Sequence, residues 1–210
     1  MTVRVLFIGE GTSDNGLVPH VEAIAARHGT TISVTVPDFG LLRPPPGHSV
    51  PDKLRAAQKL GGSYELVIVQ RDADRGPAQD RRDEIAAAVA KEWPDVRHIA
   101  VVPVRMLEAW LILDEKCIRQ VAENPRGRVP LDLPKGIAAE KIADPKKLLK
   151  ETLARASEYK GRRLEQFQRR FPQHRLRMLE LLDPEGKVSC LPSWQAFIAD
   201  LETVFASPQK

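Results

Sequence analysis

The first hundred residues alternate between short apolar runs and longer amphipathic stretches. The run over residues 3–8 is apolar except for Arg4, which is typical of a strand buried on both faces of a parallel sheet. Three further strands are predicted where apolar and β-branched residues cluster, and helical spacing predicts a helix in each interval. The predicted strands cover 31–36, 64–70 and 96–102, and the predicted helices cover 17–28, 52–60 and 77–93.

This alternation predicts an α/β fold with an open, mostly parallel sheet of about four strands. From Met106 the strand pattern stops and helical patterns continue to the end of the chain. We therefore expect an α/β domain over residues 1–115 and a helical C-terminal region over 116–210 packed on it. Helices are predicted here over 106–113, 145–156, 162–182 with a break near Pro172, and 193–205.

Charge is distributed unevenly along the chain. Lys and Arg number 32 against 28 Asp and Glu, a net charge of only +4, and 42% hydrophobic residues provide for a folded core. Residues 126–177, however, carry 15 basic and 6 acidic side chains, a net charge of +9. Such a basic block is typical of a polyanion-binding surface, and a solvated helical face is the alternative.

The two cysteines, Cys117 and Cys190, form no closely spaced pair, so the sequence indicates neither a disulfide framework nor a zinc site. We expect both thiols to be reduced and buried. The apolar run at the start is followed at once by Gly and acidic residues, which is typical of a strand rather than a signal peptide. With no apolar stretch near the length of a membrane span, a cytoplasmic protein without membrane contact is expected.

Acidic residues follow two predicted strands, at the positions where an open α/β sheet binds its ligands. Glu10 follows the first strand, and Asp72 and Asp74 follow the third. Paired carboxylates offer the hard oxygen ligands that Mg²⁺ and Mn²⁺ accept. Turn-forming or helix-capping roles before Pro77 are the alternative for the Asp pair.

Other phosphate-handling motifs match this chain poorly. The turn GEGTSDNG over 9–16 contains G-x-G, but Asp14 stands where a third glycine belongs, and no Walker lysine is present. A phosphatase with an aspartyl nucleophile would carry Asp-x-Asp after its first strand, and here the pair follows the third. Dinucleotide-binding, P-loop and phosphatase interpretations are therefore weak.

Glu108 lies in an otherwise apolar segment, so a buried carboxylate there needs a partner. Arg105 could pair with it structurally. Alternatively, Glu108 completes the metal site and Arg105 contacts a phosphate. Asp114 is a weaker candidate, because a helix through both positions would aim its carboxylate about 120° away from that of Glu108.

The spacing of these acidic residues resembles the Toprim fold of topoisomerases, primases and overcoming-lysogenization-defect nucleases. Glu10 in GEGTSD and Asp72-Ala73-Asp74 carry this resemblance, which covers about residues 1–115. More narrowly, the sequence resembles the stand-alone Toprim-like family DUF4276 in FIGEGTSD, VIVQRDAD, VPVRMLEAWLILD, ADPKKLL and SCLPSWQAF. Family patterns commonly read Glu-Gly-x-Thr-Glu, and this chain has Ser13 and Asp14 in the last two positions.

The resemblance implies metal-dependent cleavage of phosphodiester bonds, with Mg²⁺ or Mn²⁺ as cofactor. By similarity Asp72 and Asp74 hold the metal, and Glu10 is a ligand or the general acid/base. Glu108 is expected to join this catalytic and metal-binding set. Related nucleases act in phage defence with an ATPase, which must be a separate partner here because the chain has no Walker motif.

The basic block is expected to hold the nucleic acid, DNA ahead of RNA, through phosphate contacts that tolerate any sequence. Two alternatives remain open: a non-catalytic, metal-binding interaction subunit of such a system, and small-molecule phosphoester chemistry. The predicted nucleic-acid contacts are Arg105, Lys146, Lys147, Lys150, Lys160, Arg162 and Arg163.

Overall fold

The computed structural model describes residues 2–206 of the chain. In this part of the chain four parallel strands form one open sheet in the order β2-β1-β3-β4, which confirms the predicted α/β class. Each strand lies within three residues of its predicted limits. The strands are β1 (Thr2–Ile8), β2 (Thr31–Thr35), β3 (Leu66–Gln70) and β4 (Arg97–Val101).

Three helices connect the strands. Leu6 and Ile8 of β1 share one apolar cluster with residues of α2 and α3, so these two helices cover the same face of the sheet. The β1–α1–β2 connection crosses the sheet in the opposite direction, and right-handed crossovers therefore place α1 on the other face. The helices are α1 (Val18–Arg27), α2 (Val50–Lys59) and α3 (Ala78–Glu92).

The helix starts differ from the predicted ones for reasons of local hydrogen bonding. A short 3-10 helix over Thr12–Leu17 precedes α1, whereas one helix from residue 17 was predicted. Ser49 caps α2 by accepting a hydrogen bond from the Asp52 amide, so this helix begins at Val50 and not at the predicted residue 52. Pro77 stands at the cap position of α3 without a side-chain bond, so neither Asp72 nor Asp74 caps this helix.

The chain divides into two compact units. The first contains the sheet up to Val102 together with residues 196–206, and the second runs from Pro103 to Gln195. The predicted division at residue 115 differs from this one. In particular, the end of the last helix belongs with the sheet: Glu202 pairs with Arg27 and His28, and Asp200 pairs with Arg82 at 3.1 Å.

The second unit is helical, as the loss of the strand pattern predicted. The predicted helix over 106–113 is only one turn long, and an unpredicted helix follows it, capped by the Asp114 carboxylate. Arg170 separates α7 from α8, next to the predicted break at Pro172. The helices are α4 (Glu108–Leu111), α5 (Glu115–Val121), α6 (Pro145–Ser157), α7 (Gly161–Arg169), α8 (Phe171–Glu180) and α9 (Pro192–Ala206), the last of which continues into the first unit.

The two cysteines are both free thiols but differ in environment. Cys117 is buried, and burial raises the pKa of its thiol to about 11. Cys190 is exposed, so the prediction that it is buried is wrong. Among residues 2–206 no helix is long and apolar enough to cross a membrane.

Candidate functional site

The candidate site lies between β1 and β3, where the order of strands in the sheet changes direction. From β1 the chain moves to β2 on one side, while β3 lies on the other side of β1, with Ile8 beside Val69. Open α/β sheets leave a crevice at the carboxyl ends of the strands at such a reversal. Glu10 and Asp72 each stand two residues beyond a strand end, on the two sides of this crevice.

Glu10 and Asp72 are joined directly and through Gln70. The Asp72 amide donates a hydrogen bond of 3.0 Å to Glu10 Oε2. The Glu10 amide donates to Gln70 Oε1 at 3.1 Å, and Gln70 Nε2 donates to Asp72 Oδ1 at 2.9 Å. Because the Gln70 side chain is fully buried, these bonds fix the two acidic residues against the sheet.

The turn after β1 owes its shape to glycine and to an internal acidic cap. The Gly11 amide donates to Asp14 Oδ2 at 2.7 Å, and Asp14 is buried. A Cβ atom at Gly9 would lie 2.7 Å from the Asp14 Cβ, so only glycine fits there without a shift. Asp14 therefore shapes the turn that presents Glu10, and this role accounts for an acidic residue at a position that G-x-G-x-x-G motifs give to glycine.

The side chain of Lys53, on α2, is hydrogen-bonded to the same turn. Its ammonium donates hydrogen bonds to the carbonyl oxygens of Gly9 at 2.8 Å and of Glu10 at 3.0 Å. Only 9% of Lys53 is exposed. Burial lowers the pKa of its ammonium, and the nearby Glu10 carboxylate opposes this shift. The turn is thus fixed by a buried cation as well as by Asp14.

Two arginines lie against the acidic residues. Arg71 places Nε 3.7 Å from Glu10 Oε1 and one terminal nitrogen 3.7 Å from Glu84 Oε1. Arg81 lies 3.5 Å from Asp74 Oδ2 and 2.7 Å from Glu84 Oε2. Asp74 itself has a left-handed backbone with φ of 54°, a conformation that Asp tolerates better than most residues. Acidic and basic groups therefore alternate around the crevice.

Three acidic side chains of this crevice fit a magnesium or manganese ion by donor chemistry. The Glu10 side chain is 40% exposed and that of Asp74 is 49% exposed, so a ligand can reach both. Within residues 2–206 no three His, Cys, Asp or Glu side chains already converge as a cluster that could hold a metal. Mg²⁺ needs no such cage, because it commonly binds one or two carboxylates and completes its shell with water and phosphate oxygens. Glu10 and Asp72, which are linked through the Asp72 amide and through Gln70, provide two carboxylates, and Asp74 lies on the same loop as Asp72.

Glu108 belongs to the second unit and has a different environment. Only 3% of its side chain is exposed, and Oε1 accepts a hydrogen bond of 3.0 Å from Nε of Arg175 on α8. Arg175, rather than the neighbouring Arg105, is thus the partner that this buried carboxylate requires. Arg105 is half-buried with a left-handed φ of 63°. Participation of Glu108 in the metal site stays a prediction.

The predicted nucleic-acid contacts in the basic block lie on α6, on α7 and before α7 in the second unit. Lys150 stands over the Phe171 ring at 4.9 Å, and the Arg163 guanidinium stacks 3.7 Å above the Tyr159 ring. Lys147 lies 4.0 Å from Glu151 on the same helix. Their charged ends are nevertheless at the surface, as are those of the remaining three, which are Lys146, Lys160 and Arg162.

Four residues of the crevice escaped the sequence analysis: Lys53, Gln70, Arg71 and Arg81. Gln70 and Arg71 stand directly before Asp72, and a polar residue at the end of an apolar strand is a signal that could have indicated them. Lys53 and Arg81 lie on amphipathic helices among other charged residues. Their inward placement depends on how α2 and α3 pack, which a single sequence does not reveal.

These features define the chain as an α/β protein with a carboxylate-rich crevice at the reversal point of its sheet. A family described as a domain of unknown function, DUF4276, has a model that matches residues 10–202. The chain therefore belongs to the DUF4276 family, as its motifs predicted. Comparison with curated proteins and with solved structures found no match.

Proposed function

We propose that this protein is a magnesium- or manganese-dependent nuclease that cleaves phosphodiester bonds at the Glu10–Asp72 crevice. One observation carries the proposal: at the reversal point of the sheet, the Asp72 backbone amide donates a hydrogen bond to the Glu10 carboxylate, which brings together two acidic residues that follow neighbouring strands. Glu10 and Asp72 hold the cation together, with Asp74 as a third oxygen donor from the same loop. The resemblance to Toprim proteins supports this interpretation.

The bound cation would supply charge neutralisation for the phosphate oxygens, on which negative charge builds up during cleavage. The residues of the chain have separate tasks. Gln70 and Lys53 hold the Glu10 turn and Asp72 at a fixed separation, so the carboxylates need not be ordered when substrate binds. Glu10, which is the more accessible to solvent, can also accept or return a proton at an oxygen of the reacting phosphate.

The surface of α6 and α7 is proposed to hold the nucleic acid, DNA ahead of RNA. The lysines and arginines there neutralise backbone phosphates, an interaction that is independent of base sequence and weakens as salt rises. Participation in phage defence, a separate ATPase partner and a cytoplasmic location stay predictions from the sequence.

Nicking of supercoiled plasmid with Mg²⁺ or Mn²⁺ tests the proposal. Glu10→Gln and Asp72→Asn should each lower the nicking rate by about 100-fold or more, since each removes a charged ligand of the cation that neutralises the reacting phosphate. Glu22→Gln is the matched control, because it removes one exposed carboxylate from α1. Nicking that both crevice variants retain would contradict the proposal.

The alternative functions give distinct results in the same assay. A non-catalytic interaction subunit would bind Mn²⁺ through Glu10 and Asp72 and leave plasmid intact under every condition. A small-molecule phosphoesterase would hydrolyse a small phosphodiester in a Glu10-dependent manner and also leave plasmid intact.

A further inference from the structure

Arg71 lies in the crevice, but its side chain does not use all of its hydrogen-bond donors there. Its backbone amide donates to the Val101 carbonyl at 3.1 Å, so the residue continues the pairing of β3 with β4. Its side chain is 14% exposed and reaches between Glu10 and Glu84, and both separations are 3.7 Å. Nε is buried and has no hydrogen-bond partner within residues 2–206.

This arrangement differs from other arginine–carboxylate pairs in the same unit. Arg4 approaches Glu65 at 2.9 Å, and Arg55 approaches Glu92 at 2.7 Å, which are ordinary lengths for charge-assisted hydrogen bonds. At 3.7 Å Arg71 is attracted to two carboxylates but donates a good hydrogen bond to neither. A buried donor without an acceptor is unfavourable unless a ligand supplies one.

The other cations of the crevice are already committed. Lys53 donates to two backbone carbonyls of the Glu10 turn, and Arg81 donates to Glu84 at 2.7 Å. Arg71 is therefore the crevice cation whose donors can turn to a new acceptor at the smallest cost. Its planar guanidinium presents paired N–H groups, a geometry that matches two oxygens of a phosphate.

We propose that Arg71 is the phosphate-binding residue of the crevice and that a divalent cation releases it from Glu10. This inference rests on the proposed function. Without the cation Arg71 balances the charge of Glu10. With the cation bound, the charge of Glu10 is already neutralised, and the Arg71 guanidinium turns to an oxygen of the phosphate diester.

The test compares Arg71→Gln with Arg75→Gln, which removes the same charge from an exposed arginine of the same loop. Isothermal titration first measures Mn²⁺ binding and then inorganic phosphate binding at saturating Mg²⁺. Arg71→Gln should bind Mn²⁺ about threefold tighter than Arg75→Gln, because it removes the cation that competes for Glu10. It should bind phosphate about tenfold more weakly than Arg75→Gln.

Arg71→Lys keeps the positive charge and guards against a folding defect in the glutamine variant. It should bind Mn²⁺ like wild type and phosphate several-fold more weakly, because an ammonium lacks the paired donors. Equal behaviour of Arg71→Gln and Arg75→Gln, or no phosphate binding by a wild-type protein that binds Mn²⁺, would overturn the role of Arg71 alone. A wild-type protein that binds no Mn²⁺ would overturn the proposed function and this inference together.

Discussion

Glu10 and Glu108, two acidic residues that the sequence places in one site, occupy opposite kinds of environment. The Glu10 side chain is 40% exposed, and its nearest cation, Arg71, stands 3.7 Å away. The Glu108 side chain is 3% exposed and is hydrogen-bonded at 3.0 Å to Arg175, which is itself 9% exposed. The first carboxylate is held in place by its backbone and remains open to a ligand, whereas the second is closed within a buried ion pair.

The comparison shows that a carboxylate in an apolar segment can be one half of a buried ion pair. A buried charge must be paired, and the pair can be entirely internal to the fold. What distinguishes Glu10 is that its position is fixed through backbone groups, by Lys53 and Gln70, while its carboxylate keeps free lone pairs. This difference leads to opposite expectations for stability and for ligand binding.

The largest expected effect is on stability in the second unit. Glu108→Gln removes the carboxylate that pairs with the buried Arg175, and the free energy of unfolding should fall by about 3–5 kcal/mol. Glu10→Gln, at a half-exposed position, should change it by about 1 kcal/mol or less. Urea unfolding followed by circular dichroism measures both. Equal, small losses in the two variants would remove the distinction between them.

A smaller loss of stability is expected when Lys53 is replaced, and this variant also tests whether the Glu10 turn must be held in place for the cation to bind. Lys53→Met leaves two carbonyl oxygens of the Glu10 turn without their donor, so unfolding should become easier by about 1–3 kcal/mol. Mn²⁺ should also bind more weakly, because the turn no longer holds Glu10 beside Asp72. Lys59→Met, an exposed residue of the same helix, is the control. Unchanged Mn²⁺ binding in Lys53→Met would show that the turn is ordered without the lysine.

The strands and the acidic residues could be predicted from the sequence, but the side chains that bind those acidic residues could not. The strand order was not predicted, but once β1 and β3 are neighbours the closeness of Glu10 to Asp72 follows, because both residues lie at the carboxyl ends of parallel strands. The pairing of Glu108 with Arg175 joins residues 67 positions apart, and no local rule could select Arg175 over Arg105. Lys53 was not predicted as a site residue because most lysines of an amphipathic helix point to solvent. Its inward orientation results from the packing of α2.

The smallest effect on stability comes from the buried Cys117 thiol of the second unit, and it depends on pH. Burial raises the pKa of the Cys117 thiol from 9.0 to about 11, so the folded state favours the protonated form. The stability from this group is complete below pH 9 and is lost as the pH rises through about 11. Native protein at pH 8 should therefore react with Ellman's reagent at Cys190 alone, and at both thiols in denaturant. Rapid reaction of two thiols in native protein would contradict the closed interior.

The central claim is that Glu10 and Asp72 hold a divalent cation. Mn²⁺ binding, measured by isothermal titration, tests it most directly in wild type, the double variant Glu10→Gln/Asp72→Asn and the double variant Glu108→Leu/Arg175→Met. The last removes both charges of the buried pair together, so neither member stays in the interior without the other. The account predicts saturable binding in wild type and no binding in Glu10→Gln/Asp72→Asn, and the result for folded Glu108→Leu/Arg175→Met decides whether Glu108 also joins the site. Binding that survives in Glu10→Gln/Asp72→Asn would contradict it.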